Sequence, residues 1–418
     1  MDAETACRSR HAQSDVYPCA ASGRGRPLAS EKAIVARIEA NRDAAIALLK
    51  KVVDIPSATE NTGGVKRVGE VFADELRSLG FETRWVGHLV AERRGSKGKR
   101  LLLIGHLDTV LQGEPFRRDG DRAYGSGASD MKGGDVVMIE ALRALHREGA
   151  LDGRQVIVVM TGDEEEPKRP HSESRAALID AAKRSDAALA FEGYEPGMAV
   201  IGRRGIGSFH LEVAGSQGHS SGIFSETRGD GAIFEMARIL TAFHDELREP
   251  NLTYNPSVVV GGTDVTYDGA TASGTAAGKQ NVVPRKAIVE GDTRFLTRDQ
   301  LEKSRAKMKA IVEKGLPKTS ATIIFKDGMP SMAPTDGNRA LLCLLDGVSR
   351  DLGTGPITEH DPNKRGAGDI SFVAGLVDCL DGLGALGEHE HAPGEYVELG
   401  ELPKGAERAA ILIYRLTR

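Results

Sequence analysis

Residues 101–110 read Leu-Leu-Leu-Ile-Gly-His-Leu-Asp-Thr-Val, and this stretch decides the fold that the sequence predicts. Four apolar residues without alternation are typical of a strand covered on both faces of a parallel sheet. In such sheets ligands bind beyond the carboxyl ends of the strands, which is where His106 stands. Asp108 points to the same side of an extended segment and could accept the imidazole N–H, leaving the other ring nitrogen for a metal. By itself, the pattern more often marks a hydrogen-bonded strand end.

The composition of the 418-residue chain limits the class of protein. Its length allows two domains, each with its own core. A formal net charge of -5 and a pI near 6.2 offer no basic surface for nucleic acid, and no apolar run approaches the length of a membrane span. We therefore expect a small-molecule or peptide partner. A bound metal would need His and carboxylate ligands, because the cysteines are too scattered for a thiolate zinc site: Cys7, Cys19, Cys343 and Cys379.

Residues 1–29 are rich in Arg, Ser, Ala and Gly and lack the continuous apolar core of a secretory signal. We interpret them as a disordered leader. A transit peptide and a start codon assigned too far upstream are the alternatives, and the acids Asp2, Glu4 and Asp15 count against the first of these. Since no export signal is recognisable, we expect a cytoplasmic protein.

Two later apolar runs also lead into acidic residues. Residues 155–161 are followed by Gly-Asp-Glu-Glu-Glu at 162–166, and residues 187–191 are followed by Glu192. Consecutive acids usually form a solvated face of repelling charges. The carboxyl ends of parallel strands, however, meet at one edge of a sheet. Three buried strands that end in His106 or in acids therefore indicate a single polar site.

Two further segments carry candidate groups. Asp130 lies in a glycine-rich loop, 124–134, ahead of a helix predicted over 135–148, where the helix dipole would also explain an acid. The second segment, 388–395, reads Glu-His-Glu-His-Ala-Pro-Gly-Glu and holds two histidines. Neither segment identifies a chemistry when it is considered alone.

The pattern of the chain changes between residues 205 and 326. Residues 229–247 have the spacing of a long amphipathic helix, and residues 281–295 are typical of antiparallel strands. We therefore predict an α/β protein in which an inserted α+β domain interrupts a mixed, largely parallel sheet flanked by helices. The predicted boundaries are 30–204 and 327–418 for the sheet domain and 205–326 for the insertion.

Five segments together resemble the M20 family of metallohydrolases, which includes carboxypeptidases, desuccinylases, deacetylases, aminoacylases and some aminopeptidases. Each segment is a weak signal, but five in the correct order are a strong one. The resemblance implies a zinc-exopeptidase-like catalytic domain with an inserted lid or dimerisation domain. The segments are His106-x-Asp108, Ala-Ser-Asp130-x-Lys-Gly, Asp163-Glu164-Glu165, the strand-ending Glu192 and His391-Ala-Pro-x-Glu395.

The resemblance implies two zinc ions per subunit, for which Co²⁺ or Mn²⁺ can substitute. Asp130 would bridge the ions, His106 and Glu192 would complete the ligands of the first, and Glu165 and His391 those of the second. Imidazole and carboxylate suit zinc, and two cations explain how so many acids can be packed together.

Further roles follow from the same resemblance. Glu164 would be the general base and Asp108 the residue that orients His106. Two ligands have competing neighbours: Glu195 could replace Glu192, although Glu192 ends the strand directly, and His389 competes with His391, although only His391 precedes the family's Ala-Pro-x-Glu.

Substrate contacts are implied at five positions. His219, in Gly-His-Ser-Ser, would help to hold the oxyanion, and Asn281 and Arg294 would contact the substrate carboxylate. Gly366 and Gly368 would form a glycine-rich substrate loop. The implied partner is a small peptide or N-acyl amino acid, and neither nucleic acid nor a membrane.

We therefore predict a carboxypeptidase or N-acyl-amino-acid deacylase that cleaves an amide bond next to a free carboxylate. One alternative is an aminopeptidase or dipeptidase of the same family, which commonly carries Asp in place of Glu192. The other is a catalytically inactive metal-binding homologue, against which Glu164 argues because a binding protein needs no base. The resemblance also suggests a homodimer through the inserted domain, in which His219 reaches the metal centre of the other subunit.

Overall fold

The computed structural model describes residues 28–418, so the predicted leader lies outside the described residues except for its last two positions. The α-helices in this part of the chain are α1 (Ala29–Ala40), α2 (Arg42–Val53), α3 (Thr62–Ser78), α4 (Lys132–Arg147), α5 (His171–Ser174), α6 (Ala176–Lys183), α7 (Ala232–Glu246), α8 (Arg298–Val312), α9 (Asp336–Asp351) and α10 (Leu402–Thr417). None of these helices is long and apolar enough to cross a membrane.

The strands of the same part of the chain form several sheets. They are β1 (Glu82–Trp85), β2 (Leu89–Arg93), β3 (Lys97–His106), β4 (Arg117–Asp119), β5 (Arg122–Tyr124), β6 (Arg154–Thr161), β7 (Ala187–Ala190), β8 (Met198–Ala199), β9 (Gly205–Gly215), β10 (Gly218–His219), β11 (Thr253–Gly262), β12 (Asp264–Asp268), β13 (Ser273–Ala277), β14 (Val282–Val283), β15 (Lys286–Phe295), β16 (Thr319–Asp327), β17 (Thr358–Glu359), β18 (Asp378–Leu380), β19 (Gly387–Glu388) and β20 (Tyr396–Glu398).

The main sheet has six strands in the order β1-β2-β6-β3-β7-β18. Strands β6, β3, β7 and β18 run parallel, and β1 and β2 add an antiparallel edge. The prediction of a mixed, largely parallel sheet flanked by helices is thus confirmed. Strand β3 lies between β6 and β7, so both of its neighbours end at the same edge of the sheet.

Strand β3 is covered on both faces, which explains its unbroken apolar run. Leu101 and Leu103 belong to a hydrophobic core shared with α4 and α10. Leu102 and Ile104 face the opposite side and pack with residues of α6. Full burial of each such side chain stabilises the fold by roughly 1.5–3 kcal/mol, and it fixes which residue of the strand reaches the edge.

A second sheet, β11-β15-β9-β16, is antiparallel and extends from Gly205 to Asp327. Helices α7 and α8 cover it and contribute to a separate apolar core. These bounds are close to those predicted for the insertion. Its function as a lid or dimerisation domain stays a prediction.

Candidate metal centre

Three neighbouring strands deliver polar side chains to one edge of the main sheet. His106, the last residue of β3, pairs in register with Thr161, the last residue of β6. Ile104 pairs with Ala190, the last residue of β7, so Glu192 follows at the same level. The parallel register therefore places the ends of all three strands side by side, as the sequence predicted.

Asp130 lies between two imidazole rings. Its Oδ1 is 3.0 Å from Nε2 of His106, and its Oδ2 is 3.0 Å from Nε2 of His391. The carboxylate is almost buried, with 13% of its side-chain surface exposed. One oxygen thus faces each histidine, which is the arrangement expected of a carboxylate that bridges two cations.

The structure brings all five predicted ligands together in two overlapping groups, and a third group joins His106 to Glu164 and Glu165. His106, Asp130 and Glu192 form one, and Asp130, Glu165 and His391 form the other; in each, the potential ligand atoms lie within 4.8 Å of one another. The distance from His391 Nε2 to Glu165 Oε2 is 3.1 Å. These groups are the two ligand sets that the resemblance implied, with Asp130 common to both.

Asp108 connects His106 to the loop that carries Glu164. The Nδ1 of His106 lies 3.0 Å from the backbone carbonyl oxygen of Asp108, and 3.5 Å from its carboxylate. The carboxylate instead accepts the backbone N–H groups of Glu164 and Glu165, at 3.0 and 3.2 Å, and the hydroxyl of Thr59 at 2.8 Å. Asp108 therefore orients His106 through its main chain and the acidic loop through its side chain.

Glu395 anchors the loop that carries Asp130. Its carboxylate accepts backbone N–H groups from Gly127, Ser129 and Asp130 at 2.8, 2.8 and 2.9 Å. Burial raises the pKa of Glu395 to about 7, although these three hydrogen bonds oppose the rise. The sequence placed Glu395 in a motif without assigning it a contact, and the structure supplies one.

The carboxylates of the group are buried close to one another, which raises most of their pKa values. Burial and then repulsion from Asp130 raise the pKa of Glu192 to about 8, and burial raises the pKa values of Glu164 and Glu165. Hydrogen bonds to Asp130 and Glu165 raise the pKa of His391 to about 11. Oε1 of Glu165 is buried without a hydrogen-bond partner in the described structure. Carboxylates that repel one another around an unsatisfied oxygen fit a pair of divalent ions.

Both competing residues lie in other contacts. Glu195 is half exposed and pairs with Nε2 of His360 at 2.6 Å. His389 packs against the ring of Tyr396, with the ring centroids 5.9 Å apart. Neither belongs to the metal-capable groups found among residues 28–418, which favours Glu192 and His391.

The predicted substrate residues fall into three places. The glycine-rich loop of Gly366 and Gly368 adjoins the candidate metal centre, because Arg365 at its start donates to the carbonyl of Gly193, next to Glu192. His219 and Asn281 lie together elsewhere: β10 pairs with β14, and the N–H of Ser220 donates to the carbonyl of Asn281 at 2.9 Å. The structure therefore does not bring His219 into the metal-capable groups of its own chain.

Arg294 lies at the opposite end of the inserted sheet from Asn281. It is the second-last residue of β15, paired with Ile206 where the chain enters this sheet, while Asn281 precedes the first residue of β15, Lys286. Eight residues of strand span roughly 26 Å. Lys286 and Arg294 are thus too far apart to contact one small carboxylate, and Asn281 precedes the Lys286 end of the strand.

Two buried arginines beside the site carried no signal in the sequence. Arg203 donates through Nε to Asp381 at 2.6 Å and through Nη1 to the carbonyl of Gly366 at 3.0 Å. Burial opposes its charge, but Asp381 and Glu192 hold its pKa above the usual value. Arg175 contacts the acidic loop itself. Isolated arginines in a chain rich in charged residues give no local pattern that would identify them.

A mixed, largely parallel sheet whose strand ends hold overlapping groups of His and carboxylate side chains is typical of an α/β protein that binds metal ions. A sequence model of peptidase family M20/M25/M40 matches residues 102–415, and the chain belongs to this family. It is a metallopeptidase or amidohydrolase of the M20 type, as the sequence predicted, and the family includes dinuclear metal-binding peptidases.

Similar proteins span most of the chain. Carboxypeptidase G2 of Pseudomonas sp. (strain RS-16) is 27% identical, over 89% of this chain and 89% of its own length. A succinyl-diaminopimelate desuccinylase from Gluconobacter oxydans (strain 621H) is 26% identical, over 85% of this chain and 93% of its own length.

Solved structures share the fold at lower identity. Aminopeptidase PepT from Bacillus cereus ATCC 10987 gives a TM-score of 0.71 at 18% identity, covering 90% of this chain and 99% of that one. A dinuclear metal binding peptidase of the M20 family from Bacillus subtilis gives a TM-score of 0.64 at 15% identity, covering 91% and 99%. At such identities the likeness concerns the fold alone.

Proposed function

We propose that this protein hydrolyses an amide bond next to a free carboxylate, in a small peptide or an N-acyl amino acid, as a carboxypeptidase or N-acyl-amino-acid deacylase. The observation that carries the proposal is Asp130, which offers one oxygen to His106 and the other to His391, with Glu164 close by. The names of the two curated relatives, a carboxypeptidase and a desuccinylase, support an amide next to a carboxylate.

The residues fit two zinc ions, with Co²⁺ or Mn²⁺ as substitutes. His106, Asp130 and Glu192 would hold one ion, and Asp130, Glu165 and His391 the other. When bound, such ions lower the pKa of a water molecule towards neutrality and polarise a carbonyl group.

Glu164 is the general base of the proposed reaction. It takes a proton from the water that attacks the amide carbon, and it delivers this proton to the nitrogen of the leaving group when the C–N bond breaks. In the metal-free site, burial raises the pKa of its carboxyl well above the usual value. Asp108 holds the backbone of Glu164 in place.

Two copies of the chain share each site in this proposal. Arg294, near the metal-bearing domain, grips the substrate carboxylate; its Nε is held by Asp292 at 3.1 Å, and 36% of its side chain is exposed. Gly366 and Gly368 line the same substrate. His219 and Asn281, at the far end of the inserted sheet, come from the second copy, where His219 stabilises the oxyanion. In a homodimer through the inserted domain, the Asn281 and Arg294 of one site come from different chains, so their separation within one chain is no obstacle.

The proposal is tested by two substitutions, of which one should leave metal binding unchanged and the other should weaken it. Glu164→Gln should lower kcat by about 10² to 10⁴ or more at full metal occupancy, because the base lies outside both ligand sets. Asp130→Ala should lose affinity for both ions. Elemental analysis and steady-state rates measure the two effects, and Glu166→Gln, an exposed acid two residues from Glu164, is the matched control. Full activity in Glu164→Gln, or two tightly held ions in Asp130→Ala, would overturn the assignment.

The substrate class is tested through the free carboxylate. A guanidinium can bind a carboxylate with two parallel hydrogen bonds, so Arg294→Ala should strongly reduce kcat/KM on acid substrates and have little effect on their amides. Arg298→Ala, four residues later and 66% exposed, should leave the rates unchanged. Equal rates on acid and amide forms by the unaltered enzyme would favour the aminopeptidase alternative.

A further inference from the structure

One buried arginine joins the loop that carries Glu164 to the glycine-rich loop at residues 366–369. Arg175 is the largest fully buried side chain in the described part of the protein. Its Nε donates to Oδ1 of Asp369 at 2.6 Å, its Nη1 donates to Oδ1 of Asp163 at 2.5 Å, and its Nη2 donates to the carbonyl of Asp163 at 3.0 Å. A planar guanidinium can serve two residues from separate loops at once.

The Asp163 end of this contact lies directly before Glu164 in the chain. On the other flank, Asp108 accepts the backbone N–H of Glu164. The preceding Gly162 is held as well, since its N–H donates to Nδ1 of His88 at 3.1 Å. The main chain at Glu164 is therefore fixed from both sides by buried groups, and Arg175 is the arginine among them.

The Asp369 end fixes the glycine-rich loop. Oδ2 of Asp369 accepts the hydroxyl of Thr161, the last residue of β6. The start of the same loop is held by Arg203, which donates to the carbonyl of Gly366. Through Asp163 and Asp369, Arg175 thus links the loop of Glu164 to the loop at 366–369.

The shape of the guanidinium group, as well as its charge, allows Arg175 to contact both aspartates. Asp163 and Asp369 are only 4% and 3% exposed, so both carboxylates need a buried partner. A lysine could supply the charge, but its single ammonium group lacks the planar fork that spans the two aspartates. Arg175→Lys therefore separates the geometric role from the charge.

We propose that Arg175 is a positioning residue, which holds Glu164 in its working orientation towards the glycine-rich loop. It acts through Asp163 and Asp369, and none of the three metal-capable groups found among residues 28–418 contains it. This inference rests on the proposed role of Glu164 as general base.

The test compares Arg175→Lys with a matched arginine. Arg184 also binds two acids, Glu92 at 2.7 Å and Asp180 at 3.1 Å, but at the surface. Arg175→Lys should lower kcat by about 10- to 100-fold, since a displacement of about 1 Å can cost about 100-fold in rate. KM and metal content should stay unchanged, and Arg184→Lys should behave as the unaltered enzyme. A folded, metal-loaded Arg175→Lys protein with unchanged kcat overturns the proposal.

A second arm separates positioning from a general loss of structure. If Arg175 acts through Glu164, Arg175→Lys should have no further effect on the residual rate of Glu164→Gln. An equal loss of rate in both backgrounds overturns the proposal. Should Glu164→Gln itself retain full activity, the assignment of the base fails, which is distinguishable from a failure of Arg175 alone.

A milder substitution covers the case in which Arg175→Lys does not fold. Asp369→Asn keeps an oxygen for Nε of Arg175 and removes one charge from the contact. It should also lower kcat at constant metal content, and this effect should likewise vanish in the Glu164→Gln background. Unchanged kcat in folded Asp369→Asn overturns the proposal.

Discussion

Glu395 is predicted to control metal affinity without binding a metal. Its carboxylate accepts three backbone N–H groups of the loop that ends at Asp130. Glu395→Ala leaves these donors without their acceptor and frees the loop, so we expect metal affinity to fall by about 10- to 100-fold, as for other residues that support ligands. Competition with a chromogenic chelator measures the change. Glu398→Ala, which removes a surface partner of Arg122, should bind metal normally, and an equal affinity in both variants would contradict the role of Glu395.

At the scale of single residues, the sequence identified groups that stand next to a strong local pattern. His106 and Glu192 directly follow apolar runs, and the loop of Glu164 follows a third. Arg175 and Arg203 have no such pattern, because their importance comes from partners that are far away in the chain: Asp369 lies 194 residues after Arg175. A contact of that kind becomes visible only once the fold is known.

At the scale of elements, the three strand ends and the loop of His391 bring together side chains whose protonation depends on pH. The pKa of Glu192 is raised to about 8 from a usual 4.5, and that of His391 to about 11 from 6.5. The folded metal-free protein keeps a proton that the unfolded chain releases on Glu192 between about pH 4.5 and 8, and on His391 between about pH 6.5 and 11. Its stability therefore falls as the pH rises through these ranges. Asp130, whose pKa is held below its usual value by His106 and His391 despite burial, is ionised in both states and adds no slope here.

Thermal melting of the metal-free protein should therefore give a Tm that decreases from about pH 5 to 8. Metal binding requires deprotonated ligands, so the gain in Tm on adding zinc should grow over the same range. Glu192→Gln removes one titrating group and should flatten the metal-free curve. A metal-free Tm that rises across this range would show that the strand-end acids do not behave in this way.

The sequence predicted individual strands better than it predicted how those strands are arranged in a sheet. Unbroken apolar runs predicted the parallel strands, because residues buried on both faces leave no room for alternation. The separation of Asn281 from Arg294 was not foreseen. It depends on the length of β15 and on its pairing with β9, and both are properties of the assembled sheet.

At the scale of the whole molecule, the separation of His219 from the metal centre predicts complementation between subunits. In the predicted dimer, Glu164→Ala and His219→Ala proteins are each inactive. A mixed dimer contains one site with Glu164 from one chain and His219 from the other. Random exchange of subunits should then restore about a quarter of the full activity, because half of the dimers carry one intact site of two. Mixtures that stay inactive after verified exchange would exclude the trans role.

The surface of the insertion offers a face for this dimer. Ile233 and Phe234 on α7 are 40% and 53% exposed, and the ring of Phe224 lies 5.7 Å from that of Phe234. Met236 and Leu240, on the same helix, pack instead against the core of the insertion. Phe224, ahead of α7, and Ile233 and Phe234 on α7 thus present exposed apolar side chains that a second copy can contact.

His391 differs from the other proposed ligands in its access to solvent. Its side chain is 55% exposed, whereas that of His106 is 1% and that of Glu192 16% exposed. A cation held by His391 and Glu165 would exchange with the medium more quickly than one held by His106 and Glu192. The buried ion would then act as a permanent part of the protein, and the exposed one would make the rate of hydrolysis follow the free metal concentration of the surroundings.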